Sequence, residues 1–174
     1  LTRKALSAQR VLLPVFRFWS IDPGDVHNAL ARWVLPRDYS GEWRAPQVEQ
    51  VDEYDPGGLI DLVEQGIDEL DALIVEEFRL YPWLAREQGY SAFRTVEQIG
   101  VLKYIARQAN VPLVLQGANV KKMALLIARG HGFPLKKLQG GREDFVANNQ
   151  HKRDAIAHGV WWAYRGEASP LRVK

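Results

Sequence analysis

The stretch Val15-Phe16-Arg17-Phe18-Trp19-Ser20-Ile21-Asp22-Pro23-Gly24 sets an apolar run against a turn. Val15 to Ile21 reads as a strand. Asp22-Pro23-Gly24 closes it, because Pro presets φ, Gly tolerates tight backbone and Asp bonds to nearby backbone. His27 to Leu35 returns from that turn as a second strand, Pro36 to Pro46 reads as loop, and Val48 to Tyr54 alternates as a third strand near an edge.

Helical spacing takes over after these strands. Asp55 is a candidate N-cap with Pro56 at the first helical position, and Leu59, Ile60, Val63, Ile67 and Leu70 line one face of a helix ending near Leu70. Ala72 to Val75 is a short apolar run ending in Glu76-Glu77, the pattern of a buried strand. A loop through Pro82 and Gly89 precedes a helix from Ser91, its candidate cap, to about Ala109. The apolar stripe of that helix is Phe93, Val96, Ile99, Leu102, Ile105 and Ala106.

Val111 to Gln116 reads as a fifth strand, and Asn119 as the cap of a helix to about Arg129. The Gly- and Lys-rich stretch Gly130 to Arg142 reads as a mobile loop, Asn149 to Tyr164 as the final helix, and the last ten residues as frayed. The 174 residues suit one domain over 1–174 with a core at about 15–164. Three strands followed by strand–helix alternation imply an α/β fold whose mixed sheet starts antiparallel and continues parallel.

Composition narrows the class of function without naming one. At 47% hydrophobic and 25% charged, the chain has ordinary globular composition. No apolar run approaches the ~18–20 residues of a membrane helix, and no secretory signal pattern is visible. The absence of Cys excludes disulfides, thiolate metal sites and cysteine nucleophiles, and fits a reducing, cytoplasmic setting. Leu1 stands where Met is expected, which leaves a trimmed chain and a non-standard start codon as alternatives. Residues 1–120 hold 12 Lys/Arg against 17 Asp/Glu, whereas residues 121–174 hold 11 against 4. An acidic part joined to a basic part suits a metal-dependent enzyme acting on a polyanion; chance surface variation is the competing reading.

Chemistry in open sheets gathers at the carboxyl ends of parallel strands. Asp22 follows the first strand and Glu76 the fourth. Crowded carboxylates raise one another's pKa, and a divalent cation between them removes that penalty; Mg²⁺ and Mn²⁺ prefer such hard oxygen ligands. The plainer reading of Asp22 is an Asx-type turn. His151 and Asp154, three apart in the first turn of the last helix, project from one face, where imidazole can ligate a metal or deprotonate a water. His158, four residues beyond Asp154, reads as a packed, hydrogen-bonded core histidine.

Ile21-Asp22-Pro23-Gly24, Ile74-Val75-Glu76 and His151-x-x-Asp154-Ala155, taken in order, resemble the RuvC-like nucleases of the ribonuclease H-like superfamily. Ala118-Asn119-Val120-Lys121-Lys122 is similar to the family's passage from the fifth strand into a helix, and V-E-E-F-R-L-Y-P to a phrase of its phage-encoded members. The resemblance spans about Phe18 to Tyr164. It implies a ribonuclease H-like fold with a mixed five-stranded sheet of order 3-2-1-4-5 flanked by helices. It also implies metal-binding carboxylates at Asp22, Glu76 and Asp154, with His151 as a further ligand or water-positioning group. Asp25 and Val26 depart from the small or hydroxyl residues common after Asp-Pro-Gly, and Glu77 beside Glu76 leaves two choices of ligand, of which Glu76 directly follows the apolar run.

The implied activity is a Holliday junction resolvase: an endonuclease that cuts branched DNA with two Mg²⁺ or Mn²⁺ ions per active site, about 3.5–4 Å apart. Paired cuts on a two-fold junction imply a homodimer, with the 91–109 helix, through Val101 and Tyr104, as a candidate interface. The implied setting is the cytoplasm of a bacterial or phage-infected cell. Lys121, Lys122, Arg129, Lys136, Lys137, Arg142, Lys152 and Arg153 are candidates for phosphate contacts, against a solvated surface as the alternative. Phe78, Tyr81 and Trp83 are candidates for stacking on an unpaired base. A ribonuclease H-type or flap nuclease with the same site, and a non-catalytic nucleic-acid-binding module, remain as alternatives. An ATP-binding relative fits less well, because Asp22-Pro23-Gly24-Asp25 lacks a phosphate-loop hydroxyl.

Overall fold

The computed structural model describes residues 15–78 and 89–172. Strands β1 (Val15–Asp22), β2 (Asn28–Pro36), β3 (Gln47–Tyr54), β4 (Ala72–Glu77) and β5 (Leu113–Gly117) form one sheet of order β3-β2-β1-β4-β5. β1 pairs antiparallel with β2 and β2 with β3, while β4 lies parallel to both β1 and β5. This is the mixed α/β sheet that the order of elements implied. Tyr81 and Trp83, with the loop expected through Pro82, lie outside the described residues.

Strand alternation sorts side chains onto two faces. Trp19, Ile21, Leu73 and Val75 face α1 (Pro56–Gly66) and α2 (Gly89–Gln108), and bury Leu59, Val63, Ile99 and Leu102. Phe18, Ala29, Ala31, Trp33, Ala72 and Ile74 face α3 (Lys121–Gly130) and α4 (Gln150–Arg165), and bury Ala124, Ala128, Ala155 and Val160. Asp55 caps α1 as expected, its carboxylate accepting from the Gly58 N–H at 2.9 Å. The stripe continues through a 3-10 turn at Ile67–Glu69.

Three anchors hold α4 close to the sheet. Asn149 caps the helix by accepting from the Lys152 N–H at 2.9 Å, while its amide donates to Glu53 of β3 at 2.6 Å. The Ser20 hydroxyl donates to the Ala155 carbonyl at 2.7 Å and accepts from the Trp33 indole N–H at 2.8 Å. Gly159 lies against that indole: a Cβ there would meet Trp33 ring atoms at 2.2–2.4 Å. At Gly24 a Cβ would meet the His27 carbonyl oxygen at 2.3 Å, so the turn after β1 closes only without a side chain.

Several local expectations are corrected. Asp22 and Glu76 are residues of their strands rather than loop residues beyond them. α2 begins at Gly89 rather than at Ser91, and Phe93 and Val96 of its expected stripe are exposed while Thr95 and Gln98 are buried. Asn119 lies within a 3-10 turn at Ala118–Val120 and caps nothing. The stretch read as a loop contains β6 (Leu135–Lys137), paired antiparallel with β7 (Glu143–Phe145). Beyond α4 the chain to Arg172 is not frayed: buried Ser169 donates its hydroxyl to the Ala163 carbonyl, and Leu171 packs on the core.

Gly159→Ala is expected to destabilise the protein by at least about 1–3 kcal/mol, the usual effect of forcing a methyl group into a filled core. Urea unfolding reads this as a lowered midpoint with an unchanged slope. An unaltered midpoint would contradict the close approach of α4 to Trp33.

Candidate metal centre

The ladder brings the candidate acids together before any side-chain contact is considered. Ile21 pairs with Val75, so the next residues along these parallel strands, Asp22 and Glu76, are neighbours. Glu76 in turn pairs with Gln116 of β5. Alternation puts all three on the α4 face, with Ser20, Ile74 and Val114, and turns Glu77 to the opposite face. A polar row Asp22–Glu76–Gln116 therefore crosses the sheet beneath α4.

α4 lowers four polar side chains onto this row. His151 Nδ1 lies 2.9 Å from Asp22 Oδ2, and His158 Nε2 lies 3.0 Å from Glu76 Oε2. Asp154 accepts from Gln150 at 2.7 and 2.9 Å and from Lys121 Nζ at 2.6 Å. Glu76, Lys121, Gln150, Asp154 and His158 line a small cleft of about 110 Å³. A larger apolar hollow of about 320 Å³, lined by Val48, Val51, Phe133, Phe145 and Ile156 among others, contains no ionisable side chain.

Electrostatics in the row are strained in one direction. Burial, then the neighbouring charge of Glu76 and more weakly that of Asp154, push the Asp22 carboxyl up to about 9; Lys121 offsets little of this. Burial acts most strongly to raise Glu76, but the hydrogen bond and charge of His158, joined by a hydrogen bond from Asp22 and the charge of His151, outweigh it and hold Glu76 below its ordinary value. The row thus keeps one carboxylate ionised and its neighbour protonated, which marks it as short of positive charge.

Oxygen donors crowded beyond what the local cations can neutralise suit Mg²⁺ or Mn²⁺. Asp22, Glu76 and Asp154 supply such oxygens, and His151 a nitrogen. Among the described residues, no three His, Asp or Glu side chains already surround one point in metal-ligand geometry. Each of the three carboxylates has partners of its own: His151 for Asp22, His158 for Glu76, and Lys121 and Gln150 for Asp154.

The basic candidates divide into two groups. Lys121 pairs with Asp154 and, at 3.3 Å, with Asp144; Arg153 pairs with Asp144 at 3.0 Å. Arg129 pairs with Glu143 at 2.6 Å, and Lys136 donates to the Ala147 carbonyl. These four engage the protein itself. Lys122, Lys137 and Arg142 are exposed and Lys152 partly so. Phe78 packs at the margin of the α1–α2 side of the core. Gln116, Gln150 and the contact of His158 with Glu76 were not found by sequence reasoning; the spacing of His158 seven residues after His151 was the available signal.

Asp22 carries a folded-state pKa of about 9 against an ordinary 3.8, so its contribution to stability is full below about pH 3.8 and is lost as pH rises towards 9. Asp22→Asn removes that loss. In chelator, the variant is expected to unfold several degrees above the parent at pH 8, with the gap closing towards pH 4. Equal midpoints across this range would contradict the charge strain.

No family model matches the chain, and no curated protein sequence does. Solved structures do. The structure of Thermus thermophilus RuvC is similar over 90% of this chain and 100% of that one, at 21% identity and a TM-score of 0.55. T. thermophilus RuvC in complex with a Holliday junction substrate is similar over 85% of this chain and 93% of that one, at 18% identity and a TM-score of 0.57. With the sheet order and the flanking helices, these likenesses show that the chain has the fold of RuvC.

Proposed function

We propose that this chain is a divalent-metal-dependent endonuclease that cleaves branched DNA, Holliday junctions above all. The observation that carries the reading is the meeting of Asp22 and Glu76 on adjacent parallel strands under a helix that bears Asp154 and His151. The similar structure of T. thermophilus RuvC with a Holliday junction substrate supports this choice of substrate.

Bound Mg²⁺ or Mn²⁺, two per site, supplies Lewis acidity at the scissile phosphate and an acidified water. Asp22, Glu76 and Asp154 would hold it through carboxylate oxygens. His151 has Nδ1 committed to Asp22, which leaves Nε2 as the ring nitrogen able to orient a water or take its proton. Lys121, paired with Asp154 and Asp144, has its ammonium beside the site, where it would meet a phosphate oxygen. Lys122, Lys137, Arg142 and Lys152 serve flanking phosphates, setting affinity and salt dependence without reading sequence.

Two cuts across a two-fold junction call for two sites related by symmetry, hence a homodimer. The exposed apolar residues of α2 favour it as the contact: Phe93 is 63% and Tyr104 64% exposed, with Val96 and Val101 exposed beside them.

Asp22→Asn is expected to retain the fold and junction binding while metal-dependent cleavage falls at least about 100-fold, or ~2.7 kcal/mol of barrier. Rates measured on a four-way junction, a flap, an RNA–DNA hybrid and linear duplex test the substrate, with the junction expected to be cut fastest. An undiminished rate in the variant would remove Asp22 from the mechanism. Faster cleavage of hybrid or flap would move the reading to a ribonuclease H-type or flap nuclease.

A further inference from the structure

His151 and His158 stand seven residues apart on α4, two turns or about 10.5 Å along its axis. They therefore meet the polar row at different points. His151 meets Asp22 at the side chain's exposed edge. His158 is 2% exposed and meets the row from inside the core.

Both ring nitrogens of His158 are engaged. Nε2 lies 3.0 Å from Glu76 Oε2, and Nδ1 lies 2.9 Å from Gln116 Oε1. Its partners are paired neighbours on β4 and β5, so the ring straddles two adjacent strands of one ladder. A buried imidazole calls for partners at its ring nitrogens whatever its role, and here one of the two partners is the Glu76 carboxylate. An ionised carboxylate can only accept, so Nε2 must carry a proton towards Glu76. Gln116 permits this whatever the charge of the ring, because its amide can present either oxygen or nitrogen to Nδ1. With Oε2 tied to Nε2–H, the carboxylate of Glu76 cannot rotate freely while it also hydrogen-bonds to its neighbour Asp22.

Resting on the metal-centre reading above, we infer that His158, held in turn by Gln116, is a positioning residue that fixes Glu76 Oε2 against the core and presents Oε1 to the divalent cation. The histidine touches neither metal nor DNA; it acts through Glu76. Partners of this kind orient ligands and tune affinity, and their loss typically weakens metal binding 10–100-fold.

Two amide substitutions separate positioning from packing. The nitrogen of a Gln side chain reaches about as far as Nε2, so His158→Gln keeps the donor to Glu76. The nitrogen of an Asn side chain reaches only as far as Nδ1, so His158→Asn keeps the Gln116 contact and abandons Glu76. Gln116→Met preserves volume while leaving Nδ1 without its partner. Each variant is read by Mn²⁺ calorimetry without DNA and by a crystal structure that gives the Glu76 rotamer.

Expected are a Mn²⁺ Kd within about threefold of the parent for His158→Gln, a Kd about 10–100-fold weaker for His158→Asn, and an intermediate loss for Gln116→Met. Glu76 is expected to turn away from Asp22 in His158→Asn alone. Folded His158→Asn with parental Kd and an unmoved Glu76 would overturn the inference, as would equal damage from the Gln and Asn variants. Should His158→Asn fail to fold, Gln116→Met decides: weakened binding supports the inference and parental binding overturns it. A parent protein that binds no Mn²⁺ sinks the metal-centre reading instead, and the positioning of Glu76 is then judged by its rotamer alone.

Discussion

The architecture of the site depends on how closely α4 lies on the sheet. Gly159 gives up its side chain to the Trp33 indole, and Ser20 ties that indole to the Ala155 carbonyl on the same helix. Asn149 fixes the start of the helix to edge strand β3 through Glu53. The span between these anchors carries His151, Asp154 and His158, so their height above the strand ends is set by packing rather than by their own polar contacts. Moving the helix outward would separate both histidines from their partners at once.

Such closeness has an electrostatic consequence. Carboxylates at the ends of neighbouring parallel strands, roofed by a helix, lose solvent and gain like-charged company, which drives Asp22 up to about 9. The fold tolerates this by supplying partners: His158 for Glu76, His151 for Asp22, Lys121 and Gln150 for Asp154. Lys121 links the site to the β6–β7 hairpin as well, because Asp144 of β7 holds both Lys121 and Arg153. Basic residues near the site thus fall into two kinds, those that neutralise the interior and those left at the surface.

Much of this was legible in the residues. An apolar run ending in Asp22-Pro23-Gly24 and another ending in Glu76 marked two strands whose carboxyl ends carry acids, and Asp55-Pro56 marked a helix start that the cap bond bears out. The choice between Glu76 and Glu77 was not legible, because it depends on the phase of β4 against β1; the pairing of Ile21 with Val75 puts Glu76 on the α4 face. Strands β6 and β7 escaped notice because three residues of mixed polarity carry no periodicity. The phase of α2 was misjudged because it has apolar residues on both sides: Ile99 and Leu102 are buried, Phe93 and Tyr104 exposed. Gln116 closes an apolar strand run and reads as a boundary; only the ladder reveals it beside Glu76.

We propose that Asp22, Glu76 and Asp154 form one cation-binding centre. Anomalous scattering from crystals soaked in millimolar Mn²⁺ tests it most directly. A peak bounded by Asp22 and Glu76 is expected, with Asp154 turned away from Lys121 to meet it. Anomalous density only at sites remote from these residues, or none at all at that concentration, would contradict it.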